Sequence, residues 1–223
     1  MQLNRIEISP ALYEYALAHG VHEHPTLVKL RQYTAKLENS RMQIAIEQGQ
    51  FMGLLAKITS AKRYLELGVF TGYSSLAMAL AMGEDSIVYA LDNRQEHLDI
   101  ALKFWTEAGV ANQIKTMLGA ALGSLATLVN ENKLNYFDMA FIDANKTDYM
   151  AYYEYCYQLV KPGGLILIDN VLFHGRVLEE HTADFVQAIK DFNKFIYNDK
   201  RVDISLLPLA DGLTIAYKKE PVE

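Results

Sequence analysis

The chain has 223 residues, 51% of them hydrophobic and 22% charged, an ordinary globular balance that suits one large α/β domain with a substantial core. Net charge is −6 with no standout run of Lys or Arg, so a protein that grips nucleic acid through clustered cations is disfavoured. A single cysteine, Cys156, excludes an internal disulfide and fits a reducing compartment.

In chain order, the opening MQLNRIEISPALYEY mixes charge and proline and lacks the basic-then-apolar order of a signal peptide. No uninterrupted apolar stretch reaches membrane-spanning length, so the expectation is a soluble cytoplasmic protein without a membrane partner. Residues from about 10 to 60 read as helices broken by turns. ALYEYALAHG ends in a glycine that can cap a helix, and PTLVKLRQYTAKLENSRMQIAIEQGQFMGLLAKITS carries apolar residues at helical spacing. From Arg63 onward short apolar runs (RYLELG, SIVYALD, a weaker IKTML, FDMAFID, LILIDN) alternate with amphipathic segments such as YSSLAMALAM, QEHLDIALKFWTEAG and DYMAYYEYCYQLV. Strands alternating with helices predict right-handed crossovers and a mostly parallel sheet covered on both faces. VDISLLPLADGLTIAYKK then places two strand-like runs around Ala210-Asp211-Gly212, a link short enough only for antiparallel neighbours. The expected fold is one α/β domain over residues 1–223. An N-terminal helical segment, 1–60, precedes a doubly wound, mostly parallel, seven-stranded core, 61–223, that closes on an antiparallel edge hairpin.

RYLELGVFTGYSS puts Gly68 and Gly72 between the first strand and the next helix, where glycine lets the backbone turn sharply and approach a ligand. The spacing is Gly-x-x-x-Gly, without the full Gly-x-Gly-x-x-Gly fingerprint, so a pyrophosphate on a helix N-terminus is disfavoured. Alone, such a loop is either a ligand loop or a tight turn. Glu66, two residues before the first glycine, puts a carboxylate where it could meet a ligand cation. Asp92 ends the second strand, where many nucleotide folds bind ribose hydroxyls; the plainer alternative is a cap for the helix starting near Gln95. An adenosine ligand with a cationic head and no phosphate accounts for both carboxylates and the missing fingerprint. S-adenosylmethionine is such a ligand.

FIDANK ends the fourth strand with Asp143, and LILIDN ends the fifth with Asp169 and Asn170. Ligands of open α/β sheets bind beyond the carboxyl ends of the strands, so three oxygen donors can converge there. Two carboxylates repel unless a hard cation lies between them; oxygen ligands suit Mg²⁺ best, with Ca²⁺ or Mn²⁺ as alternatives. Lys146, three residues after Asp143, could serve as a base beside that cation. Taken singly, the two aspartates read equally as helix caps and the lysine as a solvated charge. Their joint placement after two successive apolar strands favours a site.

With these motifs in hand, the chain resembles the cation-dependent class I O-methyltransferase family, which includes the catechol and caffeoyl-CoA O-methyltransferases. The similarity runs from about Met42 to Lys219 and rests on MQIAIEQGQF, LELGVFTGYSS, ALDNR, FIDANKTDY, LVKPGGLILIDNVLFHG and LLPLADGLTIAYKK together. It implies a Rossmann-like fold and S-adenosylmethionine bound by Glu66, Gly68, Ser74 and Asp92. Met42 and Ala120 would line the pocket, Ala120 near the adenine, and Asp143 would also border the cofactor. The metal, usually Mg²⁺, would be held by Asp143, Asp169 and Asn170, with Lys146 and Asp143 at the reacting oxygen and Lys146 taking the hydroxyl proton. A phenolic small-molecule substrate of the vicinal-diphenol kind and a homodimer are implied as well. Three positions depart from the family pattern. Asn145 replaces a family aspartate, Ile44 a plant threonine facing the cofactor, and His174 an asparagine that contacts substrate, and all three bear on substrate identity.

Two other readings compete. A nicotinamide-dependent oxidoreductase shares a glycine turn and a ribose-binding acid, yet it leaves the strand-end carboxylates unexplained. A catalytically decayed S-adenosylmethionine-binding protein is the non-enzymatic alternative, against which the intact Asp143, Lys146, Asp169 and Asn170 set argues. His19, His22 and His24 match no compact metal signature and read as a surface turn. Tyr149, Tyr152, Tyr153, Tyr155 and Tyr157 read as packing or a dimer face, and Met78, Met82, Trp105 and Cys156 as core. His174, close behind the Asp169-Asn170 turn, reads either as a substrate contact or as plain loop.

Overall fold

The central apolar runs become strands because they are buried on both faces, whereas the edge runs IKTML and VDISLL are exposed along much of their length. In β1 (Arg63–Leu67), Tyr64, Leu65 and Leu67 are all fully buried, and in β4 (Phe137–Ile142) every residue is buried. The computed structural model describes residues 6–221, so the first five residues of the signal-peptide reading and the last two of the domain span lie outside the described ones. With β2 (Ile87–Asp92), β3 (Ile114–Leu118), β5 (Val160–Ile168), β6 (Val202–Leu207) and β7 (Leu213–Lys218), the strands form one seven-stranded sheet in the order β3-β2-β1-β4-β5-β7-β6. The first five run parallel; β7 is antiparallel to both β5 and β6, which joins the hairpin to the sheet as expected.

Alternation along the strands divides the interior into two cores. Tyr64, Val88, Ala90, Met139, Phe141 and Leu167 face one side, with Met52, Leu76 and Trp105 from the helices. Leu65, Leu91, Ala140 and Ile166 face the other, with Leu125, Tyr153 and Phe192. Helices α3 (Ile46–Ile58), α4 (Tyr73–Met82) and α5 (Gln95–Glu107) serve the first core, and α6 (Ala121–Asn130), α7 (Tyr149–Leu159) and α8 (Asp184–Asn198) the second. Met78, Met82, Trp105 and Cys156 are buried as read from sequence, and burial pushes the Cys156 thiol well up, leaving it inert.

The helical N-terminal segment supplies α1 (Pro10–Gly20) and α2 (Pro25–Thr34). Gly20 does not cap by leaving the helix. It is the last helical residue, its φ is not positive, and Val21 follows in extended backbone. His24 caps α2 by accepting from the Thr26 amide at 3.2 Å, and His19 stacks on Tyr15, so the three histidines are local turn and helix-end groups. β5 begins at Val160 rather than at Leu165, through a register shift opposite Phe137 and Met139. Among the described residues, no helix is long and apolar enough to cross a membrane. What positions the site is the reversal of strand order between β1 and β4, which opens a crevice beyond their carboxyl ends.

Candidate functional site

A cleft of about 670 Å³ lies over the ends of β1, β2, β4 and β5. One end is built on the glycine loop. The Gly68 amide donates to the Leu91 carbonyl at 2.9 Å, and Gly68 sits so close to β4 that a Cβ on it would lie 2.0 Å from the Asp143 carbonyl oxygen. Asp92 ties that loop to the end of β2: its Oδ2 accepts from the Val69 and Phe70 amides, both at 2.9 Å, and its Oδ1 from the Arg94 amide at 2.9 Å. Asp92 therefore borders the cleft, and its bond to the Arg94 amide lies just ahead of α5, whose first turn takes no side-chain cap.

Glu66 lies underneath. It is fully buried, it accepts from the hydroxyls of Ser74 and Ser75, and it is not on the cleft wall, whereas Ser74 is. Burial pushes the Glu66 carboxyl up to about 8, with Asp143 and Asp92 adding to the rise and the two serine hydroxyls opposing it. The folded protein thus holds this proton to higher pH than the unfolded chain, where the group titrates near 4.5, so it erodes stability as pH climbs through that interval. Glu66→Gln is expected to flatten the fall in urea-unfolding free energy between pH 5 and about 8, leaving whatever Asp169 contributes. An unchanged slope would show that Glu66 ionises freely in the fold.

At the other end, Lys146 organises the carboxylates. Its ammonium donates to Asp143 Oδ1 at 2.8 Å, to Asn170 Oδ1 at 2.6 Å and to the Tyr149 hydroxyl at 2.5 Å, and that hydroxyl donates in turn to the Asp169 carbonyl at 3.0 Å. Asn170 reaches this point with a left-handed φ of 56°. The Asp169 side chain, 2% exposed, accepts from the Asn170 amide at 2.8 Å. Burial first and the Asp143 charge second raise the Asp169 carboxyl above the ordinary carboxylate range. The Asp143 and Asn170 oxygens held on one ammonium, with the Asp169 carboxylate near enough to feel the Asp143 charge, form a donor set that suits a hard divalent cation. Among the described residues no three His, Cys, Asp or Glu side chains meet at one point; the third oxygen here is the Asn170 amide.

Of the residues marked from sequence, Met42, Gly68, Ser74 and Asp92 border one end of the cleft, and Asp143, Lys146, Asp169 and Asn170 the other. Ala120 does not itself face it, although Gly119 and Ala121 on either side do. Ile44 and Asn145 are on the wall, and the Asn145 amide is turned onto Thr147 and Asp148 at 2.7 and 2.8 Å. His174 stands at the rim, its side chain 79% exposed, with its backbone amide held by Asp211. Sequence reasoning missed three groups. Tyr149 and Tyr152, whose helical spacing reads as packing or a dimer face, do pack in the core, yet Tyr149 also touches Lys146 and Tyr152 also borders the cleft. Gln48, 1% exposed, has an amide nitrogen without a hydrogen-bond partner, close enough to Asp169 to offset part of its rise. The signal for Tyr149 was its spacing, one helical turn beyond Lys146.

The model of a family described as O-methyltransferase matches residues 17–219. The chain belongs to this O-methyltransferase family. Among its relatives, the probable caffeoyl-CoA O-methyltransferase 2 of Dictyostelium discoideum is 40% identical over 217 residues, 96% of this chain and 94% of that one. The catechol O-methyltransferase domain-containing protein 1 of Mus musculus is 38% identical, over 93% of this chain and 79% of its own length. A solved O-methyltransferase from Bacillus cereus, in complex with SAH, superposes with a TM-score of 0.86 at 30% identity, over 94% and 97% of the two chains. As the sequence suggested, this O-methyltransferase is built on the Rossmann-like doubly wound sheet of its structural neighbours.

Proposed function

We propose that the protein transfers the methyl group of S-adenosylmethionine to one hydroxyl of a vicinal diphenol, with a divalent cation held by Asp143, Asp169 and Asn170. The observation that carries this reading is the ammonium of Lys146 lodged between Asp143 Oδ1 and Asn170 Oδ1, which marks a point where strand-end oxygens already gather around positive charge. The cofactor reading rests on the glycine loop and Asp92 at the other end of the same cleft, and on the S-adenosyl compounds named for solved relatives.

A phenol ionises with a pKa of about 10, so its nucleophilic form is scarce at neutral pH. A divalent cation, when bound, would supply the charge that favours ionisation of a neighbouring hydroxyl. Lys146, an ammonium when it donates to Asp143, Asn170 and Tyr149, must first release one proton to solvent. Its neutral Nζ then accepts the hydroxyl proton, and Tyr149, kept a phenol because burial and the nearby Asp143 and Asp169 raise its pKa, holds that nitrogen in place. The hydroxyl oxygen forms a bond to the methyl carbon as the carbon–sulfur bond breaks, and its electron pair stays on sulfur, giving the methyl ether and S-adenosylhomocysteine. The protein's main contribution is alignment of oxygen, carbon and sulfur, an effect worth about 7–11 kcal/mol in well-oriented systems. A panel of vicinal diphenols with S-adenosylmethionine is expected to yield S-adenosylhomocysteine with Mg²⁺ and to lose that yield in EDTA. Turnover indifferent to EDTA would remove the cation, and cofactor binding without turnover of any acceptor would favour a decayed enzyme.

A further inference from the structure

His97 occupies the first part of α5 and is 8% exposed, yet it borders the cleft. Two neighbours fix its ring. Phe70, from the glycine loop, meets it edge to face with centroids 4.9 Å apart and planes at 88°. On the other side its Nδ1 is buried without a hydrogen-bond partner and faces Asp92 Oδ1 at 3.6 Å. A carboxylate there favours the tautomer with its proton on Nδ1, which leaves Nε2 an acceptor. Nε2 has no protein partner among the described residues and is not one of the buried unpartnered atoms, so it is the polar atom this side chain offers to the cleft.

Among the described residues, Asp92 is the only carboxylate at this end of the cleft wall, and most of its capacity is committed. Oδ2 holds two loop amides and Oδ1 holds the Arg94 amide; the His97 Nδ1 at 3.6 Å is beyond hydrogen-bond distance, so Oδ1 keeps room for one more donor. A ribose diol brings two hydroxyls. We propose that His97 is a cofactor-binding residue, with Nε2 accepting from one ribose hydroxyl while Asp92 Oδ1 accepts from the other. The inference rests on the S-adenosylmethionine reading and adds to it a residue that sets preference for ribose.

The test measures binding of S-adenosylhomocysteine and of its 2′-deoxy and 3′-deoxy forms, by calorimetry, to the wild type and to His97→Phe, which keeps the edge-to-face packing on Phe70. His97→Phe is expected to weaken S-adenosylhomocysteine roughly 3- to 10-fold, the scale of one neutral hydrogen bond. One of the two deoxy forms should lose a similar factor in the wild type and nothing further in the variant. His97→Gln, whose longer amide reaches where Nε2 lies, should restore the hydroxyl preference. If the phenylalanine variant fails to fold, His97→Asn answers on the same terms, since its shorter amide reaches Asp92 but not the cleft. Equal affinity in wild type and variant overturns the proposal, and so does a weaker variant that still discriminates against both deoxy forms as the wild type does. Absence of S-adenosylhomocysteine binding to the wild type would instead overturn the cofactor reading.

Discussion

Asp169→Ala is expected to lose at least about 100-fold in turnover while still binding S-adenosylhomocysteine and losing only about 1 kcal/mol of stability. The activity loss follows from removing one of two carboxylates at the proposed cation site, where even changes behind the ligands cost about 10–100-fold. Stability is largely spared for a separate reason. The Asp169 side chain is 2% exposed, and its burial beside Asp143 already raises its pKa, so the native state gains little from keeping it charged. The lost acceptor for the Asn170 amide is the main structural cost, about 1 kcal/mol. Asp169→Asn keeps that acceptor, removes the charge and should be as inactive as the alanine variant. Rates of S-adenosylhomocysteine formation, measured beside its binding, separate the two roles. Turnover within threefold of wild type in both variants would sink the assignment.

Gly68→Ala is expected to be the most damaging small change in the molecule, costing about 3–5 kcal/mol in urea unfolding. Two effects coincide at this position. Its φ of +89° is one that a side chain resists, worth about 1–3 kcal/mol, and the new methyl would lie 2.0 Å from the Asp143 carbonyl oxygen. Neither backbone can yield easily, because the Gly68 amide is bonded to Leu91 and the Asp143 amide to Leu67, each at 2.9 Å. Whatever moves carries the Asp143 carboxylate with it, so surviving folded protein should also lose activity. Gly109→Ala is the control: its φ is +75° with nothing within 4 Å, and it should cost only about 1–2 kcal/mol. Equal costs at the two glycines would show that the close approach to Asp143 carries no weight.

The parallel sheet was legible because strands buried on both faces read as near-continuous apolar runs, as LILI does, and because the Ala210–Gly212 link is too short for a crossover. Asp143, Asp169 and Asn170 could be paired from sequence since strand ends of a doubly wound sheet share one edge. Spacing from Lys146 was the one signal for Tyr149, and it was weak because a buried tyrosine on a helix packs and donates with the same side chain. Glu66 was placed beside the ligand by its distance from Gly68, but strand alternation turns it toward the helices, where Ser74 and Ser75 meet it. His97 carried no sequence signal of its own; its meaning comes from Phe70 and Asp92, which approach it from two other elements. Gly20 does mark the end of α1, although the chain leaves the helix through extended Val21 rather than through a left-handed glycine.

The order of strands across the sheet also governs how the chain can fold as it is made. β6 has no partner in the sheet except β7, and β7 bridges it to β5. On a ribosome, β6 emerges before the strand that docks it, so until then it presents an unpaired edge while β5 lacks a neighbour on its outer side. Closure of this half of the sheet therefore waits on β7, and the interval before it emerges is when this edge is most exposed to mispairing.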